Sequence, residues 1–368
     1  MAEPPQPVGL DPMRRALLLA ARADFATSPN PMVGAVIVSG GEIIGEGFHA
    51  RAGEPHAEVL ALAHAGERAR GAELWVTLEP CCTTGRTGPC TTRVIDAGVA
   101  RVHLATVDPN PAVAGRGVAE LREAGIEVVV GEHREEAERL IDFYSVSIRT
   151  GLPFVTLKVA TSLDGKVATV GGESKWITGA EARADGHRLR HAHDAILVGS
   201  GTVLADDPAL SARAGHEDGR QPVRVVVDSQ LRVPPSALLV QGRGAPVLIA
   251  TLVRCDPARR RALQSAGVEI VEFPADGPGV PLRLLLGELS RRGLISVLVE
   301  GGPTLLGAML REGLGNRVVA YLAPIVMGGS GAPSSFGGAG AAWLAEAWRL
   351  RWTEAVMVGR DVRLTAEV

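Results

Sequence analysis

The chain has 368 residues, 46% of them hydrophobic and 21% charged, with a net charge of -3. That length exceeds one ordinary core and points to two domains, while so small a negative charge gathers no polyanion and speaks against a nucleic-acid partner. Four cysteines, three of them within residues 79–90, are too few and too clustered for a secreted disulfide framework and fit a reducing, cytoplasmic compartment.

"MRRALLLAARA", Met13 to Ala23, has the outline of a signal peptide, but its apolar run is bounded by arginines and falls short of the about 7 to 15 residues of a secretory core. It is expected to form an amphipathic first helix, with Asp11 as N-cap and Pro12 in the first turn. No uncharged apolar stretch reaches about 18 residues, so no membrane-spanning helix is expected. "GAVIVSGGEIIGEGFHA" reads as a hairpin turning at Ser39 to Gly41. After it come the helix "PHAEVLALAHAGERA", the strand "ELWVTLE", the cysteine loop, the helix "CTTRVIDAGVA", the strand "RVHLATV", the helix "VAELREAG" and the strand "IEVVVG". Strands separated by single helices predict a central sheet covered by helices.

The pattern pauses after Tyr144 at "RTGLPF", where Gly151 and Pro153 mark a joint between domains 1–150 and 151–368. "FVTLKVA", "AILVGS", "VRVVVDS", "PVLIAT", "VEIVEF" and "ISVLVEGG" are runs of buried-strand length, and they predict a second α/β domain. The Gly-rich segment Gly328 to Gly340 is expected as a loop; it lacks the GK[ST] of a P-loop.

"PHAE" places His56 in the first turn of a helix with Glu58 two residues on, and Cys90 opens the helix after the cysteine loop. Both helix starts then aim at one spot. His56, Cys81 and Cys90 make a three-ligand zinc site with a fourth position open, as catalytic zinc requires. Bared N–H groups at helix starts favour thiolates. Two thiolates cancel the charge of the ion, so a separate base is useful, and Glu58 is placed to take a proton from water and return it to departing ammonia. H-x-E with P-C-x-x-C is the known signature of zinc nucleobase deaminases; here its second half is stretched to P-C-x8-C. Cys82 is left a bystander, because adjacent residues rarely aim at one point.

In the second half, "AILVGSGTVLADDP" has Leu204 where a dinucleotide fingerprint needs its third glycine. "ISVLVEGGPTLLGAML" joins a buried strand through two glycines to a helix with proline at its start. Its bared N–H groups suit a pyrophosphate, although an ordinary tight turn reads equally well. His187, His191 and His193 lie on a predicted helix without the glutamate of a zincin, and are expected on a solvated face. Cys255, His49 and His64 are read as structural.

"NPMVGAVIV", "GEPHAEVLAL", "VTLEPC", "GRTGPC", "DPNPAVAGRG", "LKVATSLDGKVA", "GESKWITG", "VGSGTVLADDP" and "VEGGPTL" occur in the order seen in the bifunctional riboflavin-biosynthesis deaminase/reductase family, which the chain resembles over almost its whole length. The resemblance implies a cytidine-deaminase-like α/β/α domain followed by a dihydrofolate-reductase-like α/β domain. It implies two successive activities: zinc-dependent deamination of a diaminopyrimidinone bearing a phosphoribosylamino group, then NADPH reduction of the ribosyl to a ribityl chain. It makes His56, Cys81 and Cys90 the zinc ligands and Glu58 the proton shuttle, with Asn30 as a pyrimidine contact. Cys82, Thr83 and Thr84 stand where relatives commonly carry Ser-His-His or Ser-His-Phe.

The same resemblance assigns Ala160, Trp176, Thr202, Asp206, Ser229 and the turn Gly302, Pro303, Thr304, Leu305, Leu306, Gly307 and Ala308 to NADPH. It assigns Ser174, Arg190, Leu210, Arg213 and Glu300 to the phosphoribosyl substrate. Arg190 and Arg213 suit a phosphate clamp, since guanidinium forks match its oxygens. Arg86 in the cysteine loop is a second phosphate candidate, with a solvated loop arginine as the nearly equal plainer reading, and Lys158 a further substrate contact with a snorkelling surface lysine as the plainer reading. Small phosphoribosylated pyrimidines are the implied partners, without nucleic acid or membrane, and a homodimer or higher homo-oligomer is expected. The competing readings are a zinc deaminase of nucleic-acid bases, disfavoured by the charge and by an aromatic content of 4%, and a zinc-stabilised binding protein with decayed sites.

Overall fold

The structure, a computed structural model, describes residues 11–83, 88–213, 220–242, 244–277 and 279–368. The chain divides into one compact unit ending at Gly151 and a second running from Leu152 to Val368.

The first unit contains α1 (Pro12–Ala21), β1 (Gly34–Ser39), β2 (Glu42–Phe48), α2 (Ala57–Ala65), β3 (Glu73–Val76), α3 (Cys90–Ala97), β4 (Arg101–Leu104), α4 (Arg116–Glu123), β5 (Glu127–Val130), α5 (Arg134–Leu140) and α6 (Asp142–Thr150). Its sheet has the order β2-β1-β3-β4-β5. The β2-β1-β3 pairs are antiparallel and β3-β4-β5 parallel. Asp11 caps α1 as expected, its carboxylate accepting from the N–H groups of Met13 and Arg14. One sheet face buries Ala35, Ile37, Leu74, Val76 and Val102 against α2, α3 and α4, while Val36 and Ala105 on the other face pack with α1 and α5. Helix therefore covers both faces.

Glycines set how closely α2 lies on β2. A Cβ at Gly45 would fall 2.3 Å from the Ala61 carbonyl oxygen, and one at Gly47 would fall 2.5 Å from that of Ala57. The bare strand lets the helix backbone rest on it, which places the start of α2. Past Tyr144, α6 continues to Thr150 and ends on Gly151 in the left-handed region.

The second unit contains β6 (Phe154–Ser162), α7 (Ala180–Ala192), β7 (Ala195–Gly199), α8 (Ser200–Asp206), β8 (Val223–Val227), α9 (Leu238–Gln241), β9 (Val247–Leu252), α10 (Pro257–Ser265), β10 (Glu269–Phe273), α11 (Leu282–Arg291), β11 (Ser296–Val299), α12 (Pro303–Arg311), β12 (Arg317–Ala323), β13 (Arg351–Val358) and β14 (Asp361–Glu367). The six expected strands are present, in a sheet of order β10-β9-β8-β7-β11-β6-β12-β14-β13. Pairing is parallel from β10 to β12, and β14 and β13 close that edge antiparallel. The central strands are buried on both faces, Leu157, Leu197, Val225 and Val299 lying with α11 and α12, and Ile196, Val198, Val226 and Ile249 on the opposite side. Among the described residues no helix is long and apolar enough to cross a membrane.

Candidate active sites

In the first unit, His56 is the N-cap of α2 with extended backbone, and its side chain makes no capping bond to the helix. Its ring is thereby left for another partner. Cys90 is the first residue of α3, after the N-cap Pro89. Cys81 closes the third corner, with its carbonyl accepting the Thr91 N–H at 3.2 Å. His56 Nδ1 lies 3.2 Å from Cys90 Sγ and 3.5 Å from Cys81 Sγ, and all three ligand atoms fall within 4.8 Å of one another. A tetrahedral zinc site has edges of about 3.5 Å between nitrogen and sulfur and about 3.8 Å between two sulfurs. The donor set and its spacing therefore fit zinc.

The electrostatics of the trio match that ion. The Cys81 thiol is lowered to about 4, first by a hydrogen bond with Cys90 and then, against burial, by His56. Cys90 is pushed up, first by that same bond with the Cys81 thiolate. Two sulfurs held this close resist carrying two negative charges, which a cation between them relieves. Glu58 is 3% exposed, and burial pushes its carboxyl above the usual range while it hydrogen-bonds to Cys90. A carboxyl whose proton affinity burial raises, beside a metal site, suits proton transfer.

The segment before Cys81 is anchored by Glu79. Its carboxylate accepts the N–H groups of Asp108 at 3.1 Å, Gly115 at 2.9 Å and Val118 at 3.1 Å, and a Cβ at Gly117 would fall 2.4 Å from the Pro80 carbonyl oxygen. Cys82 is half-buried next to Cys81 and lies outside the ligand cluster. Arg86 lies outside the described residues.

His49, read from the sequence as structural, does more. It receives Asn30 Nδ2 at 3.1 Å on Nε2, places Nδ1 3.2 Å from the Pro55 carbonyl, and packs edge-on to His56 with ring centroids 5.2 Å apart. Its position seven residues before His56, at the end of a strand, was the available signal. His64 stays at the periphery, accepting the Glu46 N–H at 3.3 Å.

In the second unit a cavity of about 1850 Å³ is lined by Lys158, Ala160, Ser174, Trp176, Arg190, Thr202, Asp206, Leu210, Arg213, Ser229, Glu300, Gly302, Pro303, Thr304, Leu305, Leu306 and Ala308. One wall is thus built from residues scattered over half the chain. The volume exceeds the about 300–1,000 Å³ of a one-ligand pocket, so a cofactor and a substrate fit side by side. Gly302 is the N-cap of α12 and Pro303 its first residue, and the helix start faces this space. Gly307 is the exception among the expected lining residues. It turns to the Gly-rich loop, where a Cβ would fall 1.8 Å from the Gly337 carbonyl oxygen, so its role is close packing.

Glu300, just after β11, receives Arg190 Nε at 2.7 Å and Nη2 at 3.0 Å, and Lys158 Nζ at 3.4 Å. Burial raises its pKa, but Arg190 and Lys158 outweigh it and keep the group ionised. Arg190 also binds the Ser211 carbonyl at 3.1 Å. Most of its fork is thus engaged within the protein, whereas Arg213 presents an exposed side chain to the cavity. Lys158 lies in the cavity wall instead of snorkelling to the surface. Ser174 Oγ donates to Asp206 Oδ1 at 3.2 Å, and Arg183 stacks 4.5 Å from the centre of the exposed Trp176 ring. Leu210 is buried with φ at 51°, a strained setting for a bulky residue.

The histidine-rich helix face is not solvated. His193 is 2% exposed, donating from Nδ1 to the Leu189 carbonyl at 2.7 Å and pairing through Nε2 with Thr156 at 2.8 Å, while His187 lines the cavity and bonds the Ser211 carbonyl. The end of α7 turns inward toward β6, which periodicity within the helix does not reveal.

Comparison with known proteins covers both units. The RibD C-terminal domain family matches residues 153–364, and the cytidine and deoxycytidylate deaminase zinc-binding region matches residues 10–106. The riboflavin biosynthesis protein RibD of Escherichia coli is 45% identical over 363 residues, covering 96% of this chain and 97% of its own, and that of Bacillus amyloliquefaciens is 43% identical over 354 residues, covering 96% and 95%. Among solved structures, Acinetobacter baumannii RibD superposes with a TM-score of 0.86 at 40% identity, covering 97% of both chains. A Thermotoga maritima diaminohydroxyphosphoribosylaminopyrimidine deaminase/5-amino-6-(5-phosphoribosylamino)uracil reductase superposes with 0.84 at 34% identity, also covering 97% of both. Similarity of that extent, running through a zinc-type deaminase unit and a reductase unit in one chain, places the protein in the RibD family, the bifunctional deaminase and reductase of riboflavin biosynthesis that works with zinc and NADPH.

Proposed function

We propose that residues 1–150 deaminate 2,5-diamino-6-(5-phosphoribosylamino)pyrimidin-4-one and that residues 151–368 reduce the ribosyl group of 5-amino-6-(5-phosphoribosylamino)uracil to ribityl, the pair of activities for which the Thermotoga maritima relative is named. The observation that carries this reading is the buried Glu58 carboxyl bonded to one member of a His56–Cys81–Cys90 trio. In this reading the trio holds zinc. Zinc, when bound, supplies Lewis acidity toward water, and NADPH supplies the reducing electrons. Glu58 takes a proton from the attacking water and passes it to the departing amine.

Asn30 orients the pyrimidine. A carbonyl only accepts, so the contact with Pro55 puts the His49 proton on Nδ1 and leaves Nε2 to receive the Asn30 amide N–H. That fixes the amide, and its oxygen is the group offered to a ring N–H.

In the reductase, Ala160, Trp176, Thr202, Asp206, Ser229 and the residues of the 302–308 turn other than Gly307 take NADPH, with the start of α12 meeting its pyrophosphate. Ser174, Leu210, Arg213, Lys158 and Glu300 take the phosphoribosyl group. Arg213 meets the phosphate, and Arg190 braces Glu300 while its remaining N–H groups face the cavity. Lys158 beside Glu300 moves the proton that opens the sugar, the role that no sequence spacing names.

The edge strand β13 leaves Trp352 and Met357 exposed, 63% and 66%, which supports a homodimer or higher homo-oligomer. The cysteine usage supports a cytoplasmic setting. Incubating the purified chain with the phosphoribosylated diaminopyrimidinone tests the whole reading: ammonia appears without NADPH, and NADPH is oxidised only after it. NADPH oxidation without ammonia, or neither, refutes it.

A further inference from the structure

Lys158 stands between two partners on one wall of the cavity. Glu300 Oε2 lies 3.4 Å from its Nζ, and the centre of the Tyr321 ring lies 5.8 Å away on another side. Strand register explains the second contact. β12 runs parallel to β6 with Val319 opposite Lys158, so Tyr321, two residues on, stands on the same face of the sheet as a diagonal neighbour.

Tyr321 is itself firmly held. It is 1% exposed, and its hydroxyl donates to Asp185 Oδ2 at 2.7 Å. The same oxygen accepts Arg363 Nη1 at 2.8 Å, and Arg363 Nη2 reaches Glu354 at 2.7 Å. Arg188 Nη2 occupies Asp185 Oδ1 at 2.7 Å. Turning the ring away would take a donor from a buried carboxylate, which is costly. The chain of contacts runs from β13 and β14 through α7 to the cavity wall.

An aromatic face attracts an ammonium without being able to take its proton. A second carboxylate in that place would tie the ammonium into an ion pair on both sides. The ring instead holds the charge in place and leaves its protons for substrate.

We propose that Tyr321, pinned by Asp185 and Arg363, is a positioning residue for the reductase that holds the Lys158 ammonium toward the sugar end of the cavity. The inference rests on the reading of Lys158 as the group that acts on the ribosyl substrate. Asp185 and Arg363 act through Tyr321 and are not among the residues that line the cavity.

The test is a double-mutant cycle on the full chain, with ammonia release, NADPH affinity by fluorescence and reductase kcat and KM read in parallel. Tyr321→Leu lowers reductase kcat about tenfold and Tyr321→Phe, which keeps the ring, about threefold, with NADPH affinity and ammonia release unchanged. In a Lys158→Met background both substitutions leave kcat where Lys158→Met alone put it. Equal losses in the two backgrounds, or Leu and Phe behaving alike, overturn the proposal. If Tyr321→Leu does not fold, Tyr321→Phe across the two backgrounds decides alone. If Lys158→Met keeps the parent kcat, the reading of Lys158 falls and the inference falls with it; a loss in Lys158→Met with additive Tyr321 effects removes the inference only.

Discussion

Arg190 grips Glu300 through two parallel N–H···O bonds of 2.7 and 3.0 Å, with both side chains largely buried. A fork on a carboxylate fixes direction as well as charge. Arg190→Ala leaves Glu300 buried with Lys158 as its remaining charged partner, a change of the kind that costs about 3–5 kcal/mol. Reductase kcat and substrate affinity both fall, while ammonia release from the other unit continues. Arg190→Lys restores the charge without the fork and recovers little. Parallel assays of NADPH oxidation and ammonia check this, and equal loss of both activities contradicts it.

Glu58→Gln keeps shape and removes the proton carrier. Ammonia release drops by about 10²- to 10⁴-fold. Bound zinc, measured by metal analysis, stays at the parent level, and so does reduction of the deaminated substrate. A small effect on ammonia release would assign the proton transfer to another group.

Cys90 and Cys82 separate ligand from bystander. Cys90→Ala removes one corner of the trio, so zinc content and ammonia release are lost together. Cys82→Ser leaves the metal bound, because its sulfur stands outside the cluster. Chelation of the parent protein reproduces the Cys90→Ala phenotype and spares the reductase.

Gly47→Val tests how α2 is seated. Its Cβ would lie 2.5 Å from the Ala57 oxygen and 2.7 Å from the Ala61 nitrogen, both backbone atoms that move only with the helix. The strain costs about 1–3 kcal/mol, and it displaces His56 and Glu58 together. Thermal unfolding and zinc affinity, measured on the same samples, should decline in step.

His193 gives the second unit an acid sensitivity. Burial lowers its pKa to about 4 from 6.5, above all by desolvation. Between those values the unfolded chain binds a proton that the folded one refuses, so stability is fully present above pH 6.5 and drains away as pH falls toward 4. The full effect is about 3 kcal/mol. His193→Gln is less stable at neutral pH, but its unfolding midpoint declines less steeply over this window. Identical slopes would place the acid sensitivity elsewhere.

The legible parts of the protein were those written in local chemistry. Asp11 with Pro12, the HAE helix start and the two proline-flanked cysteines each constrain their own neighbourhood, and the fold respects them. The six strands were legible because parallel strands buried on both faces are continuous apolar runs. The hairpin β13–β14 was not, since β13 has no buried face: Arg351, Trp352, Glu354 and Ala355 are all exposed, which erases the alternation. His49 and Tyr321 were missed for a different reason. Their importance lies in a cross-strand or cross-loop neighbour, which spacing along the chain encodes not at all for Tyr321 and for His49 only as a place at a strand end seven residues before His56. Arg190 was read by its charge toward phosphate, but the structure first hands it a carboxylate 110 positions away.

The large cavity of the second unit has a pharmacological corollary. One molecule carrying a phosphorylated polyol tail and a nicotinamide-like ring would draw on residues that line one cavity for both ends. Tethering the fragments makes the second docking event intramolecular, so potency rises with the effective concentration set by the tether, up to about 10²- to 10⁴-fold. Bisubstrate ligands of matched length are accordingly the natural starting point for inhibitors of this half of the enzyme.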